Sequence, residues 1–306
     1  MTRSKTSDPG PNAQRFSGFA GLYDQVRPHP PNTLAEVLTT YCGRSSPAVV
    51  DLGSGTGLST RWAAGWAGSV VGVEPSTDML ASAGSQKLAN TRFVQGYAHQ
   101  TGLADSSADV VLAVQSFHWM EPSSTLAEVE RVLRSGGVFA AIDCDWPPTV
   151  GFAELERAWS ECGQALEVYE TRLGHELEGA ALHAPVRADD PVARGYSSRD
   201  AHSDCALASE VASWSKDSHL DRMRDSGRFD WCHELALDQV DHGDAERFMS
   251  LFRSQGGYQS LRRHGFADHE LGIPRLEEAA RRYLGTDRRT WWFTYRARIG
   301  VLRSDL

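Results

Sequence analysis

The chain of 306 residues is long enough for one large domain or for a domain with an insertion, and it can bury a sizeable core. Its hydrophobic fraction of 41% and charged fraction of 23% are ordinary for a globular protein, and no stretch resembles a transmembrane span. A net charge of −9 argues against holding nucleic acid by phosphate attraction, and five scattered cysteines with no CxxC pair support neither a disulfide framework nor a zinc knuckle.

Reduced thiols, and with them a cytoplasmic location, are the expectation. Residues 1–12 lack an apolar stretch of signal-peptide type and read as a disordered tail. From 14 to 26, Phe16, Phe19 and Tyr23 fall at helical spacing. Pro28, Pro30 and Pro31 then stop that helix before a second one over 33–41.

The segment that organises the chain follows. Val49 and Val50 open a short strand that runs into Asp51-Leu52-Gly53-Ser54-Gly55-Thr56-Gly57, and a helix is predicted over 58–67. Three glycines at alternate positions let a ligand lie against backbone N–H groups at a helix start. The dinucleotide fingerprint GxGxxG would need a third glycine where Leu58 stands. Asp51 also sits badly beside a pyrophosphate, whereas its carboxylate suits a ligand with an ammonium group or donating hydroxyls.

Downstream, a strand ends at Glu74, and Ser76 or Thr77 caps a helix that carries Met79 on its first turn. A third strand covers 91–96, and the apolar run 109–114 has the character of a central parallel strand. That run ends in Gln115-Ser116-Phe117-His118-Trp119-Met120, where open α/β sheets hold their ligands. An amphipathic helix over 126–133 should close on Ser135-Gly136-Gly137, with glycine as its C-cap, before a strand over 138–142. Asp143 and Asp145 flank Cys144. Metal binding there would need more ligands, so a loop role is the favoured reading and no metal is assigned.

Past Trp146 the pattern changes. A helix is expected over 154–173, and 174–204 shows no periodicity. Helices at 220–227, 245–256 and 274–284 and strands within 229–240 and 290–301 complete the pattern. Four regions result: a tail and N-terminal helical lid (1–44), a Rossmann-like core (45–150), an inserted helical and loop cap over the acceptor site (151–220), and a C-terminal part completing the sheet (221–306).

The pattern Asp51-x-Gly53-x-Gly55-x-Gly57, continued by Val70-Val71-Gly72-Val73-Glu74-Pro75-Ser76 and Met79, resembles the class I S-adenosylmethionine (SAM) dependent methyltransferases. Tyr23-Asp24-x-x-Arg27-Pro28-x-x-Pro31, the segment Gln115-x-x-His118-Trp119 and the turn before Val138 are similar to a subgroup containing trans-aconitate-type and ubiquinone-biosynthesis-type small-molecule enzymes. The resemblance implies an α/β fold with a seven-stranded sheet and helices on both faces. It further implies SAM as cofactor, S-adenosylhomocysteine as product, and a small-molecule acceptor.

By the same resemblance, Glu74 holds the ribose hydroxyls. Asp51, Gly53, Ser54, Gly55, Thr56, Gly57, Pro75 and Ser76 line the methionine and ribose, and Gln115 offers its carbonyl to the ammonium group. Met79 and the segment Tyr97-Ala98-His99 line the adenine, although Met79 is equally suited to a core. Tyr97 and His99 stand where relatives carry a small or acidic residue and Glu, so stacking and backbone contacts replace a carboxylate there.

Tyr23 and Arg27 are expected to reach the SAM carboxylate or the substrate, or else to pack and pair on a helix face. His118 and Tyr23 are the candidate catalytic bases, and His118, Trp119, Trp146 and His233 the candidate acceptor contacts. A His118-Trp119 pair that packs without chemistry is the alternative. A SAM-binding regulator without transfer activity and a nicotinamide-dependent oxidoreductase are the rival classes. The acidic balance disfavours a macromolecular acceptor, membrane association is not expected, and a monomer or homodimer is.

Overall fold

A computed structural model describes residues 24–181 and 213–303; Tyr23, the tail and most of the aperiodic segment lie outside the described residues. Among the described residues seven strands form one sheet: β1 (Ala48–Leu52), β2 (Ser69–Glu74), β3 (Thr91–Gln95), β4 (Ala108–Val114), β5 (Leu133–Cys144), β6 (Phe229–Gly243) and β7 (Arg289–Leu302). Their spatial order is β3-β2-β1-β4-β5-β7-β6. The first five run parallel, and β7 is inserted antiparallel between β5 and β6. The expected α/β architecture is therefore present, closed by two long antiparallel strands.

Helices cover both faces, as a parallel sheet requires. One face packs α1 (Asn32–Cys42), α2 (Leu58–Ala64), α5 (Ala153–Ala181), α7 (Ala245–Arg253), α8 (Gly256–Arg263) and α9 (Ile273–Tyr283) over Val49, Val110, Ile142 and Phe293. The other packs α4 (Pro122–Val132) and α6 (His219–Asp225) over Val111, Phe139 and Phe229. The helix α3 (Thr77–Ser85) crosses from β2 to β3. Strand β4 explains the strand order, because six of its seven residues are buried and only a central strand takes apolar side chains on both faces.

Three boundaries differ from the sequence reading. Helix α4 ends at Val132, and Leu133 already takes extended backbone and opens β5, so Gly136 (φ +71°) bends the strand entry instead of capping the helix. The predicted helix over 245–256 ends at Arg253, where Ser254 and Gln255 turn the chain into a separate, unpredicted helix, α8. Helix α5 runs on to Ala181, eight residues beyond its predicted end.

Candidate functional site

The loop after β1 is built by backbone geometry. Gly53, Gly55 and Gly57 all have positive φ (66°, 54° and 84°), and Gly53 and Ser54 donate their N–H groups to Val73 O at 2.8 and 3.1 Å. A Cβ on Gly53 would stand 2.7 Å from Ser116 Cβ, so glycine is needed there for space as well as conformation. The loop is thereby clamped between the ends of β2 and β4.

Glu74, at the end of β2 and 7% exposed, accepts from Gly55 N–H (2.9 Å) through one oxygen and from Ser76 N–H (3.0 Å) through the other. Burial raises its carboxyl and these two N–H groups oppose the rise. Each oxygen keeps acceptor capacity for a second donor. Ser76 caps α3 by accepting from Met79 N–H.

Asp51 is fully buried, and one of its oxygens accepts from both Ser59 Oγ (2.7 Å) and Thr60 Oγ (2.6 Å). Burial pushes its carboxyl up to about 6, against the pull of those hydroxyls. Its other oxygen, and Ser54 Oγ in the loop, are buried without a hydrogen-bond partner in the protein. Such groups call for a ligand, because leaving them unmatched is costly.

A cavity of about 410 Å³ lies above these groups. One wall comes from Gly53, Ser54, Gly55 and Thr56 with Glu74, Pro75 and Met79, extended by Tyr97, Ala98 and His99 beyond β3. The rings of Tyr97 and His99 are stacked, 5.4 Å apart. The facing wall includes Arg27, Gln115, Trp119 and Trp146. Fourteen of the sequence-derived site residues thus meet in one place.

Gln115 is held in a conformation that non-glycine residues rarely adopt (φ +54°), with its N–H on Ile142 O at 2.8 Å. Lys216 Nζ donates to its Oε1 at 3.0 Å.

Other candidates are placed elsewhere. Gly57 caps α2 under Phe93, and Asp51 and Ser76 lie behind the lining. His233 is exposed on the edge strand β6, its ring 5.1 Å from Trp231, and is not among the cavity residues, so the expected acceptor contact is not formed there.

His118 sits in the 3-10 turn Phe117–Trp119 and, unlike its neighbour Trp119, does not line the cavity. Its Nδ1 is 3.5 Å from Asp143 Oδ1. Asp143 is a buried hub. Lys216 Nζ stands 3.2 Å from one oxygen, and Arg298 donates to the other at 3.0 Å. Burial would raise this carboxyl, but the hydrogen bond from His118 and the charge of Lys216 hold it well below the usual carboxylate range. The geometry favours the packing and pairing alternative for His118 over direct substrate contact.

His118, Asp143 and His219 place three potential ligand atoms within 4.8 Å of one another. Their hydrogen bonding argues for ion pairing in preference to a cation site. Arg222 approaches His219 Nδ1 at 3.3 Å, and a guanidinium can only donate, so the neutral ring carries its proton on Nε2, facing Asp143 at 3.6 Å. Burial pushes the His219 imidazolium down to about 4, which keeps the ring neutral at pH 7. With Lys216 and Arg298 already on Asp143, a further cation would meet two like charges.

Sequence reasoning missed several residues that line the cavity, and Ser254, which lies behind it. Tyr295 on β7 lines the cavity and donates its hydroxyl to Pro28 O at 2.8 Å. Ser254 accepts from Arg27 Nε at 2.9 Å, and Cys144 and Val114 floor the cavity. Tyr295 and Ser254 reach the site across more than two hundred residues of chain, so no local motif signals them.

The glycine loop, the ribose-type acid at the end of β2 and the strand order define the Rossmann-like methyltransferase fold. Residues 50–141 match the family model described as a methyltransferase domain. An uncharacterised methyltransferase of Mycobacterium tuberculosis is 37% identical over 123 residues, 40% of this chain and 49% of that one. A malonyl-[acyl-carrier protein] O-methyltransferase of Pectobacterium atrosepticum is 31% identical over 149 residues, 48% of this chain and 57% of that one. A putative type II methyltransferase of Anaeromyxobacter dehalogenans has the same fold, with a TM-score of 0.59 at 21% identity over 91% of this chain and 99% of that one. The chain spans about half the length of the mycobacterial relative that it matches. No helix among the described residues is long and apolar enough to cross a membrane.

Proposed function

We propose that the protein transfers the methyl group of SAM to a small-molecule acceptor by in-line displacement. The observation that carries this reading is the single cavity in which the Gly53–Thr56 loop and the two-handed Glu74 face a separate wall of Trp119, Trp146 and Tyr295. The orphaned Ser54 Oγ, in the cavity lining, fits a ligand that carries hydroxyls or an ammonium group.

In this reading Glu74 accepts the ribose hydroxyls and the strained carbonyl of Gln115 takes the ammonium group, while Asp51, behind the lining, holds Ser59 and Thr60. Met79, Tyr97, Ala98 and His99 enclose the adenine. When bound, SAM supplies an activated methyl on a cationic leaving group. The protein's own contribution is alignment and exclusion of water, for which the aromatic wall is suited, and no dedicated base is required. Of the segment 151–220, α5 packs in the helix layer on the sheet face, and 213–220 approaches the site: Trp214 N–H donates to His118 O at 2.9 Å and Lys216 reaches Gln115.

Isothermal titration with SAM, S-adenosylhomocysteine and NAD tests the reading. Micromolar binding of the first two and none of NAD is expected, and binding of NAD alone overturns it.

A further inference from the structure

The cavity wall opposite Glu74 carries a single lysine or arginine side chain among the described residues, that of Arg27. This guanidinium is held in place from behind. Its Nε donates to Ser254 Oγ at 2.9 Å and a terminal nitrogen to Ser254 O at 3.2 Å. Ser254 is fully buried, and its own hydroxyl proton is committed to Leu251 O at 2.7 Å, which leaves the oxygen turned to accept from Arg27. The guanidinium carbon also stands 4.6 Å over the ring of Trp146, which is stacked on Trp159 at 5.9 Å and 9° and meets Phe293 edge-on.

An arginine anchored in this way loses little side-chain freedom when it receives an anion, and its planar fork matches a carboxylate. Its anchors fix its place relative to the sheet. Ser254 ends α7, and Trp146 follows β5, whereas Glu74 ends β2, on the far side of β1 and β4 in the sheet. The charge therefore lies with the aromatic wall of Trp146 and Tyr295, away from the ribose acid.

We infer that Arg27 is a specificity residue for the acceptor, which is a molecule with a planar apolar body and a carboxylate: the carboxylate pairs with Arg27, and the body packs against Trp146 and Tyr295. Of the two contacts that the sequence resemblance offers for Arg27, the SAM carboxylate and the substrate, this takes the second. It rests on the methyltransferase reading above.

The test uses the protein saturated with S-adenosylhomocysteine and three probes, benzoate, benzamide and phenyl phosphate, followed by ligand-observed NMR titration. Benzoate is expected to bind at least tenfold more tightly than benzamide. Arg27→Gln should abolish that preference while S-adenosylhomocysteine affinity stays within twofold of wild type. Arg27→Lys, which keeps the charge but not the fork on Ser254, should retain a weaker preference for benzoate, and it serves also if the glutamine variant does not fold.

Absence of a benzoate preference in the wild type overturns the inference. So does a tenfold loss of S-adenosylhomocysteine affinity in Arg27→Gln, which would place the side chain on the cofactor. Stronger binding of phenyl phosphate than of benzoate overturns the carboxylate assignment. Failure of the wild type to bind S-adenosylhomocysteine removes the methyltransferase reading itself, an outcome seen before any probe is added.

Discussion

Replacing Glu74 with alanine tests the core of the cofactor reading. Both carboxylate oxygens already accept one backbone N–H, from Gly55 and Ser76, so the carboxylate is aimed before any ligand arrives. A ribose that offers two hydroxyls would add one charge-assisted bond to each oxygen, each worth roughly 1.5–3 kcal/mol when it ends on a charged group. Losing one such bond weakens binding by about tenfold to about 150-fold, and losing both weakens it further, offset partly by water that can enter beside Gly55. Isothermal titration with S-adenosylhomocysteine measures the loss. Adenine, which lacks the ribose, is the control and should bind the variant as it binds the wild type. Unchanged S-adenosylhomocysteine affinity in a folded variant, or an equal loss for adenine, would refute the assignment of the ribose to Glu74.

Other substitutions probe the same frame. Because burial raises the Asp51 carboxyl to about 6, the folded protein binds that proton more tightly than the unfolded chain, so its contribution to stability is full below about pH 4 and is lost as pH rises through about 6. Asp51→Asn keeps an acceptor for Ser59 and Thr60 and should stabilise the ligand-free protein at pH 7.5, by at most about 3 kcal/mol, with the gain vanishing near pH 4; a thermal melt series that shows no pH-dependent gap contradicts this. At the Asp143 hub, Arg298→Met breaks a pair buried on both sides and should cost about 3–5 kcal/mol in urea unfolding. Lys216→Met removes a partly exposed partner and should cost only about 1 kcal/mol, so equal losses would refute the ranking. Gly53→Ala puts a Cβ at positive φ and against Ser116, and should lower stability by roughly 1–3 kcal/mol together with S-adenosylhomocysteine affinity. Wild-type melting and affinity in that variant would count against the clamped loop.

The sequence makes one half of the site readable and hides the other. The cofactor side is legible because its groups lie close along the chain, each at a strand end: the glycine loop after β1 with Asp51 behind it, Glu74 at the end of β2 and Gln115 just after β4. Glycine spacing and a terminal carboxylate carry that information locally. The acceptor wall is assembled by long-range contacts, so Ser254 and Tyr295 look like any serine after a helix and any tyrosine on a strand.

His118 shows a different limit. Its position in the chain points to the cavity, but its ring faces Asp143, which Lys216 and Arg298 also contact, and these three come from separate segments. The extra strand length at Leu133 was hidden for a related reason. Its pairing is fixed by Ala108 on β4, while the glycines nearby gave a helix-stop signal of their own.

The roof of the cavity is fastened from the far end of the chain. Arg27 is tied to Ser254, 227 residues later, and Pro28 to Tyr295, 267 residues later. During synthesis, therefore, the cofactor loop and the sheet's first five strands emerge well before the roof has anything to be fastened to. Until β7 takes its place between β5 and β6, Pro28 O has no Tyr295 hydroxyl to accept from, so the roof gains its last fastening only when the sheet is complete.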